Sequence, residues 1–536
     1  MTIDMAQEVK EVKDSKAVSS NTEISTENNG SYHGPAIKTG EDGVVLIPHP
    51  SDDPRDPLNW PLNKKLKILA VISFATFAGF SASLAGQLQV VPQSELYHVS
   101  TTQMAYQNSA GSAGMAAGGF FFFPLSHVIG RSSTIFWTLI GAVLSNIWAG
   151  LMSHSNDYNG FIVSRFFGSF FGAITGVLGP RILVDLFFLH QRGRAFTVFH
   201  WCFDFGTVAG PTISALISAN TTWRNAYWWT AGLAFLAAVL VFLFLHETSW
   251  NREPNAVNPA PPLSFIANRI ATFLPGTKVT PKTTFARTLQ VAKTPFLIAV
   301  TPVTLILSVF TLTNFGFYVA LNSLSPTYLQ KPEAAGGYGF TTLQNAEFSF
   351  THWIGIIFAL IYGQYLSDRL PLYIAKRYNA GIWKPEYRLH ALWLPSLLNP
   401  IGLGLFGAGL LYHLHWIVLA IATVLVTFGS LCITPITVNY INECFIRNPA
   451  EAAIAVNFYR VAFGLSVAFY IKEWVIEVDV GWTYGMMAFF ELLGMGCVVG
   501  LMWKGHRVRE WSFRGLGSTE EGEHVVEEKR ESVGSV

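Results

Sequence analysis

Ala226-Tyr-Trp-Trp-Thr-Ala-Gly-Leu-Ala-Phe-Leu-Ala-Ala-Val-Leu-Val-Phe-Leu-Phe-Leu-His246 contains no Asp, Glu, Lys or Arg. A helix needs about 20 apolar residues to cross roughly 30 Å of hydrocarbon, and this run has that length. It predicts a helix that crosses a bilayer with every backbone group paired inside it. The pattern recurs. Twelve spans are predicted, at 68–91, 103–128, 133–153, 161–186, 195–217, 226–246, 296–322, 345–366, 391–411, 414–440, 451–471 and 482–503.

The composition of the 536 residues agrees. Apolar residues make up 51% and Asp, Glu, Lys and Arg only 13%. Soluble domains carry about 25% charged residues. Mean hydropathy is +0.35. So much apolar surface cannot be hidden in a water-soluble globule of this size. The net charge of +1 gives no basic excess for nucleic acid. Cys202, Cys432, Cys444 and Cys497 lie in or beside apolar runs without metal spacing, so neither a disulfide framework nor a metal site is expected. No cofactor is expected either, and no signal peptide.

Five regions follow: a disordered tail 1–60, six spans over 61–246, a central loop 247–295, six spans over 296–510 and an acidic tail 511–536. Both tails lack the apolar content needed to order them. Within the loop, Pro262–Leu274 is weakly amphipathic. Basic residues fill every second loop: Lys64, Lys65 and Lys67, then Arg131, then Arg192 and Arg194, then Arg252 to Lys293, then Arg369 to Arg388, then Arg447, and finally Lys504 to Arg514. The alternate loops hold Arg224, Lys331 and Lys472. This asymmetry predicts cytoplasmic termini and an even number of spans. Asn220-Thr-Thr222 is a glycosylation sequon in a short outer loop, close enough to the membrane to go unused.

Several motifs stand at the span ends. They are Asp56-Pro-Leu-Asn-Trp-Pro61, Pro124-Leu-Ser-His-Val-Ile-Gly-Arg-Ser-Ser133, Ser164-Arg-Phe-Phe-Gly-Ser-Phe-Phe-Gly172, Gly206-Thr-Val-Ala-Gly-Pro211, His246-Glu-Thr-Ser-Trp250, Tyr365-Leu-Ser-Asp-Arg369 and Lys384-Pro-Glu-Tyr-Arg-Leu389. Together they resemble the major facilitator superfamily, in its branch of fungal twelve-span drug:proton antiporter-like transporters. The resemblance covers about residues 52–510. It implies an all-α membrane protein of twelve transmembrane helices in two six-helix bundles around a central cavity, working by alternating access. Of the family's first-half loop motif, Leu125, Gly130 and Arg131 remain. His127 stands where the family has Asp and brings no negative charge, while the second-half loop keeps Asp368 and Arg369. Arg165 matches the family's basic residue in span four, and Gly206, Gly210 and Pro211 match the antiporter pattern in span five.

The residues carry their own physics. Gly206 and Gly210 leave one helix face bare so that another helix can approach, and Pro211 permits a kink. Tight packing alone would also explain them. Asp204 lies near the midplane, where a charge must face a cavity or a partner. His200 is one turn earlier on the same face. The two make either a proton-binding pair or a structural contact. Arg460 and Glu491 also come near the midplane, and either neutralise each other or act directly. Asn457 shares a face with Arg460. Glu347 and His352 lie nearer the outer edge, and Arg165 lies where it can snorkel. Amides and aromatics crowd the same spans and suit an amphipathic or cationic organic substrate.

The function expected is proton-coupled secondary transport, with export of a drug, toxin or secondary metabolite as the main reading. Inward movement of polyamines or other organic cations is the alternative. A membrane enzyme is remote, because no nucleophile elbow or metal-spaced cluster is present, and a sensor is remote, because a long signalling tail is expected of one; a nucleotide-driven pump would need a phosphate-binding loop that the sequence lacks. The partners expected are a small organic substrate, protons and the lipid bilayer of the plasma membrane, and the protein is expected to act as a monomer.

Overall fold

In the computed structural model every regular element among the described residues is helical. The described residues are 48, 50–252, 256–367, 369–378, 383–445 and 448–515. The predicted tails therefore fall mostly outside them, as does Asp368. The first six spans are α1 (Leu62–Leu84), continued after a break by α2 (Val90–Tyr97), then α3 (Thr101–Ile129), α4 (Arg131–Leu151), the pair α5 (Tyr158–Gly172) and α6 (Ile174–Leu186), α7 (Leu189–Asn220) and α8 (Asn225–Phe244). The link between the halves holds α9 (Phe265–Phe273) and α10 (Phe285–Ala299). The last six are α11 (Pro302–Gln330), α12 (Thr342–Phe348) with α13 (Phe350–Tyr362) and α14 (Arg369–Tyr378), α15 (Trp393–Leu411), α16 (Trp416–Cys444), α17 (Pro449–Val478) and α18 (Val480–Gly515). Eleven segments are long and apolar enough to cross a bilayer, and α17, bent by 57° between Val467 and Phe469, makes twelve.

Local chemistry sets the ends. Ser100 caps α3 in a reciprocal box with Gln103, and Thr341 caps α12 in the same way with Gln344. Gly130, at φ 90°, turns the chain sharply between α3 and α4. α18 leaves helical geometry at Lys504, where the apolar run ends.

Three expected boundaries move. The first span stops at Leu84 instead of 91. The backbone opens at residues 85–89, where Gly86 sits so close to the Tyr227 hydroxyl that a Cβ would lie 2.0 Å from it. The seventh span starts at Pro302 instead of 296, because residues 296–299 finish α10. Residues 51–60, expected in a disordered tail, are folded around the fully buried carboxylate of Asp56. It accepts from the Ser51 and Leu58 amides at 3.0 Å each and pairs with Arg252 at 2.7 Å, beyond the end of α8.

Each half has its own apolar core. That of the first half is built on Ile72, Leu139, Ile182 and Val241, and that of the second on Leu307, Ile433, Val456 and Val498. Ile454 of α17 packs into the first-half core, so the halves touch there. Elsewhere they meet through polar contacts and aromatic pairs. Ser109 donates to the Leu465 carbonyl at 2.8 Å, and Ser349 bonds Thr212 at 2.8 Å.

Candidate functional site

Asp204 lies fifteen residues from the start of α7 and sixteen from its end. Its direction is fixed by its neighbours. At Gly206 a Cβ would lie 2.8 Å from the Phe77 carbonyl, and at Gly210 one would lie 2.4 Å from the Ser81 Cα. The glycine face is thus pressed on α1, and the Ser81 hydroxyl donates to the Gly206 carbonyl at 3.4 Å. Each helical residue turns about 100°, so Asp204, two residues from Gly206, points away from α1. It is half-buried, and the charge that acts on it is Arg460 of the other half.

Arg460, on α17, is also half-buried. Its Nη1 donates to the Thr434 hydroxyl at 3.2 Å, and its guanidinium lies 4.4 Å over the Phe315 ring. Its Nε has no hydrogen-bond partner. Asn457 is half-buried one turn earlier. Tyr318 of α11 accepts from the Asn322 amide on its backbone carbonyl at 3.0 Å. His352 is buried, its Nδ1 2.7 Å from the Thr427 hydroxyl and its ring edge-on to Tyr318. Aromatic pairs from opposite halves close around this centre: Phe205 with Trp353 at 4.7 Å and Phe120 with Phe458 at 5.1 Å. An acid and a base on opposite halves can attract each other, and a proton on the acid can abolish that attraction.

The remaining candidates scatter. His200 shares the Asp204 face, but its Nδ1 lies 2.9 Å from the Phe196 carbonyl and its ring sits among Phe196, Phe199 and Phe203. Among the described residues no hydrogen bond joins it to Asp204. Arg460 and Glu491 do not neutralise each other. Glu491 is 2% exposed inside the second half and accepts from Asn399 at 3.1 Å. Arg165 does not snorkel. It is 3% exposed, donates to the Ala82 and Ser83 carbonyls and stacks 5.0 Å from Tyr227. Those carbonyls are orphaned by the break in the first span, and a cation suits a helix C-terminus. Glu347 is exposed on α12, and Asn220, exposed at the end of α7, bonds back to Leu216.

A second constellation lies where α3 turns into α4. Glu247, just past α8, accepts from the Arg131 and Ser132 amides at 3.3 and 3.1 Å, a carboxylate on a helix N-terminus. Gly130 leaves room for it, since a Cβ there would lie 2.5 Å from Glu247 Oε2. The Arg131 side chain pairs with Asp185 of α6, and both are buried. Glu451, in the first turn of α17, acts on Arg131 from the other half. Leu125 packs into the first-half core, and His127 bonds back to Phe123. Arg369 is exposed and stacks on Tyr365. Asp185 and Glu451 lay outside the sequence reading. An acid near each of two span ends was the available signal.

The profile of the Major Facilitator Superfamily matches residues 68–470. The efflux pump radE of Floropilus chiversii is 27% identical over 466 residues, covering 85% of this chain and 83% of its own. The multidrug transporter TPO1_2 of Candida glabrata is 25% identical, covering 77% of this chain and 70% of its own. Among solved structures, the proton:xylose symporter XylE superposes with a TM-score of 0.58 at 13% identity over 83% of this chain and 96% of that one. The human organic anion transporter MFSD10 superposes at 0.51 and 16% identity over 82% and 100%.

Proposed function

The chain belongs to the major facilitator superfamily, and from that premise we propose that it is a proton-coupled exporter of small organic compounds, with Asp204 as the coupling acid. The observation that carries this reading is an acid and a base held half-buried within spans of opposite halves, Asp204 midway along α7 and Arg460 within α17. Ionised Asp204 attracts Arg460 and favours the arrangement in which the two approach. A proton on Asp204 removes the attraction and frees Arg460, so the halves can rock apart at that point. Substrate held among Phe205, Phe315, Tyr318 and Trp353 then sees a site whose charge depends on the proton. Export is favoured over uptake by the Gly206/Gly210/Pro211 pattern and by relatives named as efflux and multidrug transporters. The alternating basic loops support cytoplasmic termini, and we place the protein, as a monomer, in the plasma membrane.

Efflux from vesicles against pH tests the reading. Asp204→Asn keeps shape and hydrogen bonding but cannot titrate. Gradient-driven efflux should fall at least tenfold and lose its pH dependence, while exchange of substrate without net proton movement continues. An Asn variant with the wild-type pH profile would refute the assignment.

A further inference from the structure

Glu491 takes no part in the coupling just described, yet it is as deeply placed. On α18, Phe490, Leu492 and Leu493 are all exposed around it, while Glu491 itself is 2% exposed and turned into the second half. α11 and α15, which pack against α18, carry no Asp, Glu, Lys, Arg or His along their lengths. On α16 the sole ionisable side chains outside cysteine and tyrosine is Glu443, at its far end, and on α17 they are Glu451, Arg460, Lys472, Glu473 and Glu477. Among the described residues none of these forms a hydrogen bond or ion pair with Glu491, whose partner is Asn399. The carboxyl has no counter-ion among the described residues.

Its hydrogen bonds are informative. Asn399 of α15 is fully buried. Its Nδ2 donates to Glu491 Oε1 at 3.1 Å and lies 3.4 Å from the Ser430 hydroxyl of α16. Both amide hydrogens are thereby used. The amide oxygen, Asn399 Oδ1, is buried and receives nothing. An ionised carboxylate can only accept, so it cannot supply the missing donor. A protonated one can, through O–H to Oδ1, closing a ring of two hydrogen bonds between acid and amide. Protonation also removes the cost of an unpaired charge in an apolar interior.

We propose that Glu491 and Asn399 form a second proton-binding site, inside the second half and separate from Asp204, in which a proton on Glu491 supplies the donor that Asn399 Oδ1 lacks. Polar groups lead from it to the central space. Ser430 lies beside Asn399, Thr434 donates to the Ser430 carbonyl at 3.2 Å, and Arg460 donates to Thr434 at 3.2 Å. The site deepens the reading of a proton-coupled transporter, and it stands or falls independently of Asp204.

Infrared spectroscopy of the full chain in lipid vesicles, in H2O and in D2O, tests it. At neutral pH a protonated-carboxyl C=O band that shifts in D2O should be present in the wild type and in Asp204→Asn, and absent in Glu491→Gln. Gln can pair with the Asn399 amide, so this variant should elute as the wild type does in gel filtration. Should it misfold, Asn399→Ala provides the second measurement, and the band should persist there but move as its hydrogen bond is lost. Superimposable wild-type and Glu491→Gln spectra would overturn the site, as would a band indifferent to Asn399→Ala, or a Glu491 carboxylate that responds to Na⁺ and not to protons. Failure of the Asp204 assignment would show in efflux and leave this band in place.

Discussion

Gly210 has no space beyond its hydrogens. Its nearest neighbour is the backbone of Ser81, which cannot swing aside as a side-chain tip would. Gly210→Leu should therefore push α7 off α1 and misdirect Asp204, reducing efflux at least tenfold while protein still reaches the membrane. Full efflux at normal surface abundance would mean that the close approach is dispensable. Arg131 makes a different case. Arg131→Ala leaves Asp185 buried and unpaired, which should cost about 3–5 kcal/mol, read as a lowered unfolding temperature in detergent. Such pairings show what sequence can deliver at this scale. Asp204 is identifiable because its depth follows from counting residues. Arg460 and Glu491 have similar depth, but depth does not give the side of the helix. Arg460 reaches Thr434 and Phe315 and stays half-buried, whereas Glu491 is fully enclosed within the second half. Arg165 and Glu247 serve helix ends that lie 82 and 116 residues away in sequence, a relation that no local pattern encodes.

The spans themselves are legible, because bilayer thickness fixes their length and hydrocarbon fixes their composition. What hydropathy does not report is where a helix stops inside an apolar run. Residues 85–91 read as membrane, yet the first span ends at Leu84 with its last carbonyls taken by Arg165 and Ser169. α9 is built inside-out. Arg269 is 2% exposed and donates to the Leu245 carbonyl, while Phe265, Ile266, Ile270 and Leu274 are all at least half exposed. The helix packs against α4 and α8, whose outer faces show Trp137, Phe235, Leu236 and Phe244. An apolar face continuous with lipid-facing spans suits a helix lying in the plane of the membrane surface. A spin label at Ile266→Cys, with the native cysteines replaced, should be more accessible to dissolved oxygen than to a water-soluble nickel chelate. A label at Lys278, which is exposed beyond α9, should show the reverse. Equal accessibility at the two positions would place α9 in water.

For the whole molecule, the two-times-six layout follows from the sequence, and the separate cores of the halves follow from the layout. The contact between α17 and the first half does not, because it joins residues more than two hundred positions apart. Asp56 is a similar case. Burial pushes its carboxyl upward, but hydrogen bonds from Arg252 and from the Leu58 and Ser51 amides prevail and hold it below the usual carboxylate range. A carboxyl lowered in the folded state stabilises above its unfolded value of about 3.9 and loses that contribution as pH falls through the folded value. Asp56→Asn should therefore lower the unfolding temperature at pH 7 and flatten its decline in acid. Parallel acid profiles in the two proteins would show that the contact contributes nothing. Lys65 adds a bond to the Leu58 carbonyl, and Trp60 sets its ring edge-on to His246. All of these partners lie between residues 51 and 252. A ribosome releasing the chain from its first residue has thus delivered both sides of this clasp before the seventh span exists. The first half can fasten itself as a finished body, and the second is then made against a partner already closed.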